Sequence, residues 1–257
     1  DVLNLVNFAS GTTVFDTNND VFETINLVGY TSGAAPSITT GAYALGATGG
    51  NLTINANTLT ALEVVTITGT SSATPMDIKT GAASDVVTLG TKADTLDAGA
   101  GNDIITGTAG SNVIDAGAGN DSITLGTGVE NISAGAGNDT IVTGSNIANT
   151  DTIDGGDGVD TLTTTTAISN PSVMSNVSNI EVISPIFAAG ADSELLADGA
   201  MGGATTFSLL DDTGEITLTL GGTGKTWTED TTVILTGKGA GYGQIGGIDI
   251  GENNGVA

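Results

Sequence analysis

The segment "AGAGNDIIT" begins at Ala98, and its variants "AGAGNDSIT" and "AGAGNDTIV" begin at Ala116 and Ala134, each 18 residues after the last. A chain that repeats a glycine bend, an acid and a short apolar run so regularly must stack like upon like. Divided in nines from Thr80, it reads "TGAASDVVT", "LGTKADTLD", "AGAGNDIIT", "GTAGSNVID", "AGAGNDSIT", "LGTGVENIS" and "AGAGNDTIV". A longer unit, "TGSNIANTDTID", and a closing "GGDGVDTLT" follow. Position six holds Asp85, Asp94, Asp103, Asn112, Asp121, Glu130, Asp139, Asp151 and Asp160. Position eight is always a branched aliphatic residue, from Val87 to Leu162.

Glycine at positions two and four lets the backbone reach φ > 0 and turn tightly. The last three residues then form a minimal strand whose middle side chain points inward. Two units make one coil with two strands, and alternate units fall on opposite edges. Stacked coils lie about 4.8 Å apart, the spacing of paired strands. Carboxylates brought into line at that spacing repel, unless a cation lies between them. An ion midway would sit about 2.4 Å from each level, within the range of calcium–oxygen bonds.

Composition asks for the same countercharge. The chain has 257 residues, 29 of them acidic and 4 basic, for a net charge of −25. Phosphate binding needs clustered Lys and Arg, so nucleic acid is excluded as a partner. With 39% apolar residues the chain is not of the disordered type. It has no His and no Cys, which removes Ser-His-Asp triads, zinc-binding HExxH motifs, disulfides and thiolate sites. No enzyme activity is expected. No apolar run approaches the roughly 20 residues of a membrane-spanning helix. Because the chain opens at Asp1 without Met, a fragment or processed product is expected.

The units "AGAGNDIIT" and "GGDGVDTLT" resemble the RTX nonapeptide G-G-x-G-x-D-x-U-x, whose family fold is a calcium-loaded parallel β-roll. The resemblance spans 80–163, about a third of the chain. It implies an all-β fold: a parallel β-roll or solenoid with calcium-binding turns, flanked by Thr-rich solenoid-like segments at 1–79 and 164–257. The segment 1–79 is expected to be the tail of a preceding module. Carried over by position, the resemblance makes Asp85, Asp103, Asp121, Asp139 and Asp160 side-chain ligands on one edge. Carbonyls of Ala98, Gly99, Ala100 and Gly101 would complete the shells, with Ala116, Gly117, Ala118, Gly119, Ala134, Gly135, Ala136, Gly137, Gly155, Gly156 and Gly158 at the equivalent places. The other edge carries Asp94, Asn112, Glu130 and Asp151 in turns that depart from the pattern. Asn112 lacks charge, Glu130 is one methylene longer, and Lys92 puts a cation in the bend. Asp94, Asn112 and Asp151 are therefore weaker ligands, and the expected load is about three to five calcium ions. The insertion near Asn146–Asn149 preserves the edge assignment but bears on the Asp139/Asp160 site.

The flanks repeat in another way. Glu23 follows Asp1 by about one coil, Glu181 follows Asp160 likewise, and Glu63 heads a third such run, "EVVTITG". These acids would cap strand entrances or ligate ions. "NLTINA" (51–56), "EITLTL" (215–220) and "TVILTG" (232–237) alternate as half-buried strands do, whereas "SELLADGA" (193–200) is read as one helical turn.

Module order and Thr-rich texture are similar to calcium-dependent bacterial surface-layer proteins. That resemblance implies a secreted, calcium-binding structural protein at the surface of a Gram-negative-type bacterium, exported by type I secretion. Self-association is the expected partnership, with cell-surface polysaccharide as a further partner. A module of a large RTX adhesin and the C-terminal secretion or folding domain of an RTX exoenzyme are the alternatives. Ice binding would need a ladder of Thr at fixed repeat positions. Read in chain order, the strand triplets are mixed ("VVT", "TLD", "IIT", "VID"), so ice binding is not expected.

Overall fold

A computed structural model of the chain describes residues 2–6, 12–15, 24–29, 37–40, 50–70, 74–144, 147–168, 176–187, 193–197, 206–210, 216–220, 232–236 and 248–250. Every described element is a strand, and every strand pairing is parallel. Strands alternate in chain order between a nine-stranded and an eleven-stranded sheet, and a third, three-stranded sheet joins near the C-terminal end. The connectivity is that of a β-solenoid, as the resemblance implies.

One continuous file of side chains from each sheet runs through the interior. In the first sheet, Ile54, Ile78, Leu96, Ile114, Ile132 and Ile153 stack in register. In the second, Ile67, Val87, Ile105, Ile123, Ile141 and Leu162 do the same. All twelve are at most 1% exposed. These are the position-eight residues of the repeat and their equivalents outside it. Branched aliphatics suit this place because they pack well on a pleated surface and give up little χ1 freedom. Ala98 and Ala116 follow strands of the first sheet, where the coil turns, and Ala134 lies within one; all three are fully buried.

The coil begins before the nonapeptides and continues after them. Ile25 and Ile38 extend the two inner files upstream, and Val177 and Ile183 extend them downstream. The insertion in the twelve-residue unit leaves the register intact, pairing Asn131 with Thr152 and Thr140 with Thr161. Its Ile147 tucks against the core.

Expected strands at 51–56, 215–220 and 232–237 appear as Leu52–Asn55, Ile216–Leu220 and Thr232–Thr236. The helical turn expected at 193–200 is not formed. Ser193–Ala197 is a strand paired in parallel with Ile216–Leu220. An isolated turn of helix carries the full cost of nucleation, whereas a neighbouring strand offers partners to the backbone groups along the whole facing edge of the segment.

Truncating a central core residue tests this packing. Ile123→Ala is expected to lower stability in calcium by about 2–5 kcal/mol, read by denaturant unfolding.

Candidate calcium site

The position-six side chains point inward and are at most 2% exposed. On one edge they form a ladder in which each residue's backbone N–H donates to the carboxylate one coil further on. Val65 N–H donates to Asp85 Oδ1 at 2.7 Å, Asp85 to Asp103 at 2.7 Å, and Asp103 to Asp121 at 2.7 Å. Asp121 then donates to Asp139 at 2.7 Å, Asp139 to Asp160 at 2.8 Å, and Asp160 to Glu181 Oε2 at 2.7 Å. Asp is the residue for this place: its carboxylate reaches the next coil's amide while its own backbone stays in the ladder. The file runs past the repeat at both ends, to Val65 and to Glu181. It passes the insertion without a break, so the Asp139/Asp160 pair is intact.

One oxygen of each carboxylate is thereby used, and the second divides the residues. The Oδ2 atoms of Asp103, Asp121, Asp139 and Asp160 are buried and have no hydrogen-bond partner. A buried acceptor without a partner costs about 1–3 kcal/mol, and more when charged. Four in one file form a row of buried negative charge. Asp85 differs, because Gly81 N–H donates to its Oδ2 at 3.2 Å.

The opposite edge is mostly satisfied from within. Asp94 accepts from Met76 N–H and Gly90 N–H, each at 2.8 Å. Asn112 accepts from Asp94 N–H at 3.1 Å and donates Nδ2–H to Glu130 Oε1 at 3.2 Å. Asp151 accepts from Glu130 N–H at 2.9 Å and Ala148 N–H at 2.7 Å. Only Glu130 keeps a buried, unpartnered oxygen there, Oε2. The extra methylene that set it apart in sequence is accommodated, with the residue wholly buried.

The glycine turns line the first edge. Gly99, Gly101, Gly117, Gly119, Gly135, Gly137, Gly156 and Gly158 all have φ between 93° and 142°. Gly119 shows why no other residue serves. With φ at 138°, a Cβ there would also overlap the Gly101 carbonyl oxygen of the coil below. At Gly155, a Cβ would overlap Asn179 O and lie 2.8 Å from Asp160 Oδ2. Ala100, Ala118 and Ala136 bridge coil to coil. Their amides donate to the carbonyls of Gly81, Gly99 and Gly117, at 3.0, 2.9 and 2.8 Å. The amides of Gly101 and Gly119 donate to the carbonyls of Ala118 and Ala136. Ala98 O accepts the Thr80 hydroxyl at 2.6 Å.

A further file escaped sequence reasoning. Asn120 N–H donates to Asn102 Oδ1, and Asn138 N–H to Asn120 Oδ1, both at 2.8 Å; Val159 N–H donates to Asn138 Oδ1 at 2.9 Å. The recurrence of Asn before Asp in each "AGAGND" is the signal for this exposed rail. Glu181 was legible as a strand-entrance acid, and the structure makes it the last acceptor of the ladder. The strand-entrance acid Glu63 accepts from Thr60 N–H at 2.6 Å, closing its own turn, and Glu23 lies outside the described residues.

Burial sets the electrostatics. It pushes Asp103 up to about 7, against backbone donation from Asp85 and with added repulsion from Asp121 and Asp85. It lifts Asp121 to about 6, with repulsion from Asp139 added. Asp160 is likewise lifted to about 6, with repulsion from Asp139, Glu181 and Asp154 added. Asp85, Asp94, Asp139 and Glu130 are raised as well, each chiefly by burial. Among the described residues no three acidic side chains converge on one point; the acids are strung one per coil.

Four segments, 80–114, 106–141, 124–146 and 148–164, match the family model of the RTX calcium-binding nonapeptide repeat. The centre of this chain is an RTX calcium-binding repeat array. No curated protein and no solved structure matches the chain. RTX repeats bind calcium, and proteins that carry them are typically extracellular, exported by type I secretion. The residues here fit the ion: a hard, oxygen-seeking dication suits buried carboxylate oxygens that lack donors, beside turns of closely approaching carbonyls. Asp103, Asp121, Asp139 and Asp160 would hold it on the first edge. On the second, Glu130 is the side chain with an oxygen to spare.

Two measurements separate these roles. Asp121→Asn keeps an acceptor for Asp103 N–H but removes charge, and should weaken calcium binding at two neighbouring sites by about tenfold or more in calorimetric titration. Asp85→Asn should leave the calcium stoichiometry unchanged, because its oxygens already hold two amides.

The pH dependence has a defined sign. Carboxyls whose folded values of about 6 and 7 exceed the ordinary 3.8 bind protons more tightly in the fold. Their contribution to metal-free stability is full below the unfolded value and is lost as pH rises through 6 to 7. In chelator, the midpoint of thermal unfolding should therefore be higher at pH 5 than at pH 7.5. In excess calcium the order should reverse, because protons compete with the ion for the same oxygens.

Proposed function

We propose that the protein is a secreted, calcium-binding structural protein, part of a surface layer or similar extracellular assembly whose folding and assembly depend on calcium. The observation that carries this reading is the unbroken carboxylate–amide ladder from Val65 to Glu181. It ties the nonapeptide turns to the coils on either side, so ion binding stiffens more than the array. Structural work is the natural use of such a spine.

Calcium is scarce in cytosol and abundant outside cells, so a fold held by these sites stays loose before export and closes after it. Folding free energy and binding free energy are then one quantity. Each ion removes two charges from a chain at −25, and the remaining acids can recruit further ions between subunits. The residue types suited to catalysis by His or Cys are missing from the sequence, in keeping with a role that is not enzymatic.

A calcium titration followed at once by calorimetry and light scattering tests the proposal. Saturation of the sites should be followed by a rise in scattering that chelator reverses, and imaging of the product should show a periodic array. A chain that stays monomeric in saturating calcium at every concentration would overturn the assembly reading. That outcome would favour an adhesin module or the tail of an exoenzyme.

A further inference from the structure

The two outer faces of the coil are chemically unlike. Outward positions of the first sheet include Asp77, Lys79, Asp97, Asp115 and Asp154, with Lys79 Nζ 3.4 Å from Asp97 Oδ2. Outward positions of the second sheet, from Ser37–Thr40 to the first turn of Thr161–Ile168, are Ser, Thr, Val and Ile with no ionised group. In a chain with 29 acidic residues, so clean a face is a property to be explained.

Within it one file is nearly pure. Thr39, Thr68, Thr88, Thr106, Thr124, Val142 and Thr163 follow one another from strand to strand without a register shift. The adjacent file, two residues earlier on each strand, includes Thr66, Ser122, Thr140 and Thr161. All these side chains are partly or fully exposed. Read in chain order, the triplets looked mixed because consecutive units belong to different sheets. Sorted by sheet, "TIT", "VVT", "IIT", "SIT", "TIV" and "TLT" lie on one face, and "TLD", "VID", "NIS" and "TID" on the other.

β-Branched Thr has few χ1 rotamers, so its hydroxyl and methyl are held in fixed directions at little entropic cost. The rungs recur at the strand spacing of about 4.8 Å. Two water oxygens bonded to a common third at about 2.75 Å, with a tetrahedral angle, lie about 4.5 Å apart. The ladder therefore nearly matches the second-neighbour spacing of tetrahedral water, with a mismatch of about 0.3 Å per rung. We propose that the threonine face of the second sheet binds ice.

Two other occupants fit less well. A neutral crystalline polysaccharide would be expected to stack its sugar rings on aromatic side chains, and the described positions of this face have none. Across its seven strands the threonine strip by itself offers a second copy about 34 by 10 Å, roughly 340 Å² against the 800 Å² per partner of a stable interface. An ice lattice needs no such area of dry contact, because water already bound to the file joins the lattice and is not displaced. The face is also uncharged, as a partner without charge requires. This inference stands apart from the assembly proposal, which needs contacts elsewhere on the chain.

The test is thermal hysteresis and ice-recrystallisation inhibition by the whole chain in calcium. Wild type and Asp115→Lys, on the opposite face, should both arrest and facet growing crystals. Thr106→Lys should lose most of the hysteresis while keeping its calcium stoichiometry and β-sheet spectrum. If that variant does not fold, Ser122→Lys, more exposed on the same face, takes its place with the same expectation. The inference is overturned if wild type shows neither activity, or if the two faces respond alike. Retention on insoluble neutral polysaccharide without hysteresis, or a dimer that Thr106→Lys dissolves, would equally overturn it. None of these outcomes depends on whether the protein assembles into arrays.

Discussion

The structure depends on what happens between one buried carboxylate and the next. Along the first edge each position-six residue accepts a backbone N–H from the neighbouring coil, and this bond sets the height of one turn above another. The same arrangement places negative groups in a file at the strand spacing, out of water. Both facts follow from one choice of residue. Asp makes the ladder and creates the charge problem that a cation resolves. A neutral acceptor such as Asn112 also makes the ladder, but it brings neither a charge nor a second oxygen to an ion.

That division explains why the two edges of one coil are unequal. On the first edge, four successive carboxylates each keep a bare oxygen beside turns in which glycine alone fits. On the second, local donors reach nearly every oxygen: Gly90 N–H for Asp94, Ala148 N–H for Asp151. The departures from the glycine pattern there let turn amides fold back onto the acid. Ion binding and self-satisfaction thus compete for the same lone pairs, and turn sequence decides which prevails. Asp85 shows the competition within the first edge itself, since its turn closes on it through Gly81.

The coil also separates its surfaces by chemistry. Ionised groups gather on the outer face of the first sheet, and hydroxyl and methyl groups on that of the second. Since successive repeat units visit the faces in alternation, selection can act on one face without disturbing the other. The inner files are common to both and extend beyond the nonapeptides, from Ile25 and Ile38 to Val177 and Ile183. The family pattern therefore marks the ion-binding stretch of a longer solenoid, whose neighbouring coils share its apolar packing and backbone pairing.

The sequence by itself determined the period, the inward aliphatic of each unit, the opposite edges and the acids that line them. These are local consequences of glycine placement and residue spacing, and each was legible from Thr80 to Thr163. Ser193–Ala197 was misread because a short segment of mixed propensity takes its form from the strand beside it, Ile216–Leu220. Which carboxylate oxygens lack a donor was equally out of reach, since Gly81, Gly90 and Ala148 are chosen by turn geometry. The threonine file was invisible for a related reason: its members are 18 to 29 residues apart, and only parallel pairing of alternate units brings them together. Spacing along the chain fixes what each residue faces; stacking across coils decides what it stands beside.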